Sequence, residues 1–323
     1  MSSTQKNSLT KTSAVIGFIL LTLIVTVLLV NAVIQSYKIH IAASIAVIII
    51  AIGTYFTIFT EGKTILKTQF ESVSFSTKLF EFLAVFIGSV LSFYLNNNLG
   101  LGLVVGSALV GLLAAVVAPK YAVPVYCGSF CGMSSAALFP EFYGIILASA
   151  IAGLIYVICR DVFGGFGGKL GAMSFMGAIA AALILSKEFA SPAIPPLNTS
   201  LWLILAAFIA APLTFYLNIN LGKGPVIASS VVGLLGGLIL PKLVPDIGTQ
   251  LGVIVICSSF VGMSNQKRSP KFWYALVGGL FTGFLFVLSS PLLGGGGGKL
   301  GTTAFTSIMS VGGLANLFKK SKK

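Results

Sequence analysis

Two stretches of this chain join a run of glycines to a lysine and then to an apolar segment: residues 164–171 (GGFGGKLG) and 294–301 (GGGGGKLG). Glycine lets the backbone come close to a ligand and leaves amides free. A helix that starts at such a loop aims its positive dipole end and its unpaired N–H groups at the same spot. Lys169 and Lys299 would add a full charge there. Gly168, Lys169, Gly298 and Lys299 are therefore candidate ligands of a small anion. The plainer alternative is a tight turn whose lysine reaches out to lipid headgroups. A nucleotide-binding loop is excluded, because that motif needs Gly, four residues and then Gly-Lys-Ser/Thr. Phe163 and Leu293 stand where its first glycine belongs, and Leu170 and Leu300 where its hydroxyl belongs.

A second motif also occurs twice, as residues 127–135 (CGSFCGMSS) and 257–265 (CSSFVGMSN). It supplies Ser129 and Ser134, then Ser259 and Ser264. Small hydroxyl residues in a membrane either pack helices closely or line a polar path. Their retention in both copies points to the path, so these four serines join the candidate substrate-binding set. Cys127 and Cys257 hold equivalent places, which would suit a shared metal or iron–sulfur centre. Buried, packed thiols are the commoner use of such cysteines. No Cys-x-x-Cys spacing occurs, and His40 is the only histidine. The expectation is no metal, no cofactor and no catalytic residue. The acidic residues Glu81, Glu141, Asp161, Glu188 and Asp246 lie near segment ends, so no mid-segment carboxylate is placed to relay protons. Sodium coupling through backbone carbonyls and hydroxyls at helix breaks is left open.

These motifs belong to a longer duplication. Residues 92–120 and 214–242 are identical at 16 of 29 positions with a spacing of 122, and the two later motifs recur at a spacing of 130. Within it, Gly111/Ala115 and Gly233/Gly237 have the small-xxx-small spacing of close helix packing. Asn96, Asn98, Asn218 and Asn220 follow an apolar segment and fit turns and caps. Internal repeats of this size are a construction of transporters, whose site lies between the halves.

The elements that must position these residues are membrane helices. Of 323 residues, 56% are hydrophobic and 8% charged, and the mean hydropathy is +1.03. A soluble chain carries about 25% charge, so this surface must face lipid. The net charge of +13 sits in short loops and at the C-terminus, where it encodes orientation and meets anionic lipid, so nucleic acid is not the expected partner. The fold class expected is an all-α polytopic membrane protein of about 12 transmembrane segments, a crossing needing about 20 apolar residues. Residues 1–76 form two N-terminal helices (13–34 and 40–60) and an amphipathic loop (61–78). Residues 77–187 are repeat 1, with segments at 79–95, 99–118, 121–139, 142–159 and 170–186. A proline-rich linker, 188–200, leads to repeat 2 at 201–318, with segments at 201–217, 221–240, 247–264, 272–292 and 300–318. Residues 319–323 are a basic tail, cytoplasmic like the N-terminus. The third segment of each repeat is broken or re-entrant. Five crossings would invert the repeats, and four plus a re-entrant loop would make them parallel. Basic residues divide ten to two between the faces under either topology, so they do not decide. The length of the third segments and the contrast of Glu141 with Lys267, Arg268 and Lys271 in equivalent loops favour inversion.

The expected function is transport of a small solute, more anionic than cationic, by a secondary carrier or channel in the cell membrane. The alternative is a non-transporting subunit that scaffolds or senses for a complex, docking through the two unduplicated helices. A redox or lipid-processing protein is a third, weaker reading. Lipid and the solute are the partners expected, and a homo-oligomer is left open.

Overall fold

A computed structural model describes residues 3–320, with side chains from Thr10 to Lys319. The expected tail residues Lys322 and Lys323 lie outside the described residues, as do the side chains of Lys6 and Lys320. Twelve α-helices form, and among the described residues there is no strand, only one antiparallel bridge between Ala190 and Gly294. They are α1 (Ser3–Ile39), α2 (Ile41–Lys67), α3 (Phe75–Phe93), α4 (Leu103–Val117), α5 (Ala122–Cys131) and α6 (Phe142–Cys159). Then follow α7 (Lys169–Ile184), α8 (Leu197–Phe215), α9 (Pro225–Leu243), α10 (Gly248–Gly262), α11 (Phe272–Leu288) and α12 (Lys299–Lys320).

Local chemistry sets the helix ends. His40 breaks the first hairpin in an extended conformation and caps α2, its Nδ1 accepting from the Ala42 N–H at 3.1 Å. Ser74 does the same for α3 by accepting from the Thr77 N–H. The segment expected as an amphipathic loop at 61–78 is helical up to Lys67, because α2 continues through Glu61 and Lys63. A π-helical turn extends α3 (Tyr94–Asn98) and α8 (Tyr216–Asn220) before the next loop.

Six stretches are long and apolar enough to cross a bilayer: Thr10–Ile39, Ile41–Lys67, Phe75–Asn98, Phe142–Cys159, Leu197–Asn220 and Pro225–Leu243. These apolar helices mark a membrane-embedded protein. The count is half the expected one for a physical reason. Helices α4, α7, α10 and α11 are shorter, and α12 is buried from Gly301 to Val311 along a Ser/Thr-rich face. Helices wrapped by protein need neither full length nor apolar flanks.

The third segments are broken. Helix α5 has 10 residues, about 15 Å at 1.5 Å per residue, and open chain follows it. That open chain advances rather than returns. The Tyr121 ring lies 6.2 Å from Phe80 near the start of α3, whereas Phe142 lies 6.5 Å from Phe93 at its end. Helix α6 then runs back, since Arg160 reaches Glu81 at 2.6 Å. Lys187 meets Glu141 at 3.1 Å, which puts the linker beside the α6 start. The second half has a matching contact between Phe215 and Phe272.

The N-terminal hairpin is part of this body. Helix α2 lies on α12 with Gly53 and Gly313 backbone to backbone, so a β-carbon at either would strike the other helix. The Thr54 and Thr57 hydroxyls donate to the carbonyls of Thr306 (3.2 Å) and Met309 (2.7 Å). Helix α1 rests on α6, where a β-carbon at Gly17 would meet Ile158 and Cys159.

Candidate functional site

The glycine loops cross between the halves of the chain. The Gly167 N–H donates to Ser264 Oγ, and the Gly297 N–H donates to Ser134 Oγ, both at 3.0 Å. Beside them, the Asn265 N–H donates to the Gly165 carbonyl and the Ser135 N–H to the Gly295 carbonyl, again at 3.0 Å. Each loop is thus fastened to the chain just past α10 or α5 of the other half. Glycine is required at 167 and 297, because a β-carbon would run into the Phe260 carbonyl in one case and the Phe130 and Cys131 carbonyls in the other. Helices α7 and α12 start from these loops and cross at their first turns. A β-carbon at Gly171 would stand 2.5 Å from the Gly301 Cα. Phe163 and Leu293, at equivalent places, hold left-handed φ angles of 50° and 43°. Such strain in a bulky residue persists only where the surroundings enforce it, and it clusters at functional sites. For Phe163 the enforcement is a 5.3 Å stack on Phe18 and an edge contact with Phe305.

Both lysines turn back rather than out. Lys169 Nζ donates to the carbonyls of Cys159 (3.4 Å), Arg160 (3.0 Å) and Val162 (2.8 Å). Lys299 Nζ donates to those of Ser289 (3.2 Å), Ser290 (3.3 Å) and Leu292 (2.8 Å). Each ammonium therefore closes the C-terminal end of the preceding helix, α6 or α11, where orphan carbonyls carry the negative dipole end. An ammonium has three donors, so in this arrangement the lysines contribute charge to the loop but no spare N–H. This differs from both expectations for them, direct ligation and contact with headgroups.

A cavity of about 260 Å³ opens beside the first loop. Gly164–Leu170 forms one wall, Tyr156 and Arg160 of the first half another, and Pro225 and Met263 of the second half a third. The N–H groups of Gly168, Lys169 and Leu170 find no hydrogen-bond acceptor among the described residues. They are first-turn donors of α7 beside the cavity. Arg160 is held by Glu81 at 2.6 Å and Asp161 at 3.4 Å. No family of proteins, curated protein or solved structure matches this chain.

The candidate serines separate into two groups. Ser134 and Ser264 belong to the loop crossing, and each also donates to a helix carbonyl, Cys131 or Val261. Ser129 and Ser259 lie instead in a closed hydroxyl cluster. Ser129 Oγ is 2.8 Å from Ser107 Oγ, Ser259 Oγ is 2.7 Å from Ser229 Oγ, and Tyr126 Oη joins Ser229 across the halves at 3.0 Å. All four candidate serines have no exposed surface. Cys127 and Cys257 are buried free thiols that donate to the Leu170 and Leu300 carbonyls, at 3.3 and 3.2 Å.

Sequence reasoning missed Arg160, Tyr126 and Asn97, and read Asn96 and Asn218 only as turn and cap residues. Asn96 and Asn97 donate to the Ser134 carbonyl, and Asn218 donates to those of Gly262 and Ser264. They hold the strip that pins the opposite loop. A usable signal existed for Arg160 and Tyr126: each stands where the second repeat has an uncharged, unrelated residue, Ser290 and Ile256.

Proposed function

We propose that the protein moves a small anionic solute across the cell membrane, binding it between two inverted halves. The observation that carries this reading is the cavity at their junction, lined by Arg160 and by the first turn of α7, whose amides are unpaired among the described residues. Amides at a helix start favour negative charge without needing a free cation. The lysines act behind them, setting the loops and adding positive field. Broken segments beside crossed loops are where inverted-repeat carriers bind solute.

Inversion is supported by tracing contacts. Tyr121, Arg160 and the α2 end gather near the start of α3, through Phe80, Glu81 and the Glu61–Arg268 pair beside the first loop. Glu141, Lys187 and, through Ala190, the second loop gather at the other side. Helix α3 starts on the first side and α8 follows the linker on the second. Both described ends of the chain then fall on the first side, with Lys63, Lys120, Lys267, Lys271 and Lys319. That excess of basic residues makes it cytoplasmic.

The direct test is binding and uptake by the purified protein in liposomes against a panel of small carboxylates and oxyanions. Replacing Arg160 and Glu81 by Gln removes the cation together with its nearer carboxylate partner. Affinity for a transported anion should fall about 5–150-fold, which is about 1–3 kcal/mol. The scaffold reading has one observation in its favour, the dry hydroxyl cluster around Ser129 and Ser259. A chain that binds and moves no member of the panel would support it.

A further inference from the structure

The two glycine loops are secured alike from within the duplication but differently from outside it. Over the second loop, the linker residue Ala190 and Gly294 exchange backbone hydrogen bonds of 3.1 and 2.7 Å. Over the first loop lies a side chain with no counterpart, because Leu138 holds the place equivalent to Arg268. Arg268 donates from Nη1 and Nη2 to Glu61 at 2.6 and 2.8 Å, and from Nε to the Gly164 carbonyl at 2.9 Å. Its guanidinium carbon lies 4.2 Å from the centre of the Phe166 ring. One planar cation thus ties the N-terminal hairpin to the loop that walls the cavity. Glu61 is a fixed post, since Thr54 and Thr57 on the same helix are bonded to α12.

We propose that Glu61 and Arg268 form a releasable latch that holds the first glycine loop in place as a wall of the cavity, and that the N-terminal hairpin thereby controls access to it. This rests on the reading of that cavity as the solute site. Three features make the contact a latch rather than a permanent brace. The pair is partly open to water, with side-chain exposures of 27% for Arg268 and 13% for Glu61, and it borders a second, polar cavity of about 110 Å³. Water reaches the rim of the pair, where salt can weaken it. Gly164, where Arg268 grips the loop, has open space on its side-chain face, which gives the loop room to move.

The test needs no solute. Met263 lines the cavity behind the latch, and Met133 holds the equivalent place near the second loop. Met263→Cys and Met133→Cys reporters are labelled with a membrane-impermeant maleimide in nanodiscs, against the background of the four buried native thiols. Glu61→Gln and Arg268→Gln should each raise the Met263→Cys labelling rate about three- to fivefold, which is about 1 kcal/mol or less. The Met133→Cys rate should stay within about 1.5-fold of its parent, well under that span. Phe166→Leu keeps both charges, removes the ring beneath the guanidinium, and should shift the same reporter in the same direction. Unchanged Met263→Cys labelling in the folded variants, or an equal rise at both reporters, overturns the latch. A failed solute screen bears on the transport reading and leaves this result standing.

Discussion

Lys169 and Lys299 show how one residue type carries two readings that differ in what they predict. In the structure each ammonium donates to three carbonyls at the end of the preceding helix. Lys→Gln at either position leaves those carbonyls short of donors. It should lower stability by about 1–3 kcal/mol, read as a fall in the thermal midpoint in detergent. If the lysines act only behind the α7 amides, anion affinity in the folded Gln variants should fall far less than in the paired Arg160–Glu81 replacement. A larger fall would return them to direct ligation. The serines divide in the same way. Ser134→Ala and Ser264→Ala each strand the N–H of a glycine in the other half, at 297 or 167, and should cost about 1–3 kcal/mol. Ser259→Ala leaves Ser229 its bond to Tyr126, so a loss under about 1 kcal/mol is expected in the same assay, whereas Ser129→Ala strands the buried Ser107 hydroxyl and should cost about 1–3 kcal/mol. The sequence grouped these four because their motif repeats. It could not separate them, since the loop glycine that Ser134 or Ser264 receives lies 163 or 97 residues away, in the opposite half.

At the scale of elements, the helices were legible and their ends less so. Helix α6 falls at the expected 142–159, because an apolar run bounded by Glu141 and Arg160 leaves little choice. Helix α5 stops at Cys131, well short of the expected 139, because Ser134 and Ser135 make bonds across the halves that no helical pattern announces. The asparagine turns were legible as turns but not as the π-helical extensions that aim Asn97 and Asn218 at the third segments. The glycines of the loops are intelligible only from the crossing they allow. Gly171→Ala and Gly301→Ala should each force α7 and α12 apart and cost about 1–3 kcal/mol, as overpacking does. Gly164→Ala is the matched control, since nothing lies within 4 Å of its added β-carbon. Its thermal midpoint should differ little from that of the parent, within about 0.5 kcal/mol.

Across the whole molecule, the duplication makes a prediction that neither half makes alone. The turns after the two π-helical segments are equivalent in sequence, and Leu101 and Lys223 are exposed in them at positions 122 residues apart. If the open chain after α5 completes a crossing, as the Phe80–Tyr121 and Phe93–Phe142 contacts imply, each half makes five passes and the second is upside down. Leu101→Cys should then react with an impermeant maleimide added outside right-side-out vesicles, and Lys223→Cys only in inverted vesicles. Parallel halves would expose both cysteines from one side and would require the third segments to return to the face they left. The latch ties into this outcome. With inversion, Glu61, Arg268 and the first loop share a face with the start of α1 and the end of α12, while Ala190 and the second loop share the other. One loop would be governed by a charge pair sensitive to salt on the cytoplasmic side and the other by a backbone bridge that salt does not touch. Raising salt on each side separately should therefore speed Met263→Cys labelling from the cytoplasmic face and leave Met133→Cys labelling unchanged.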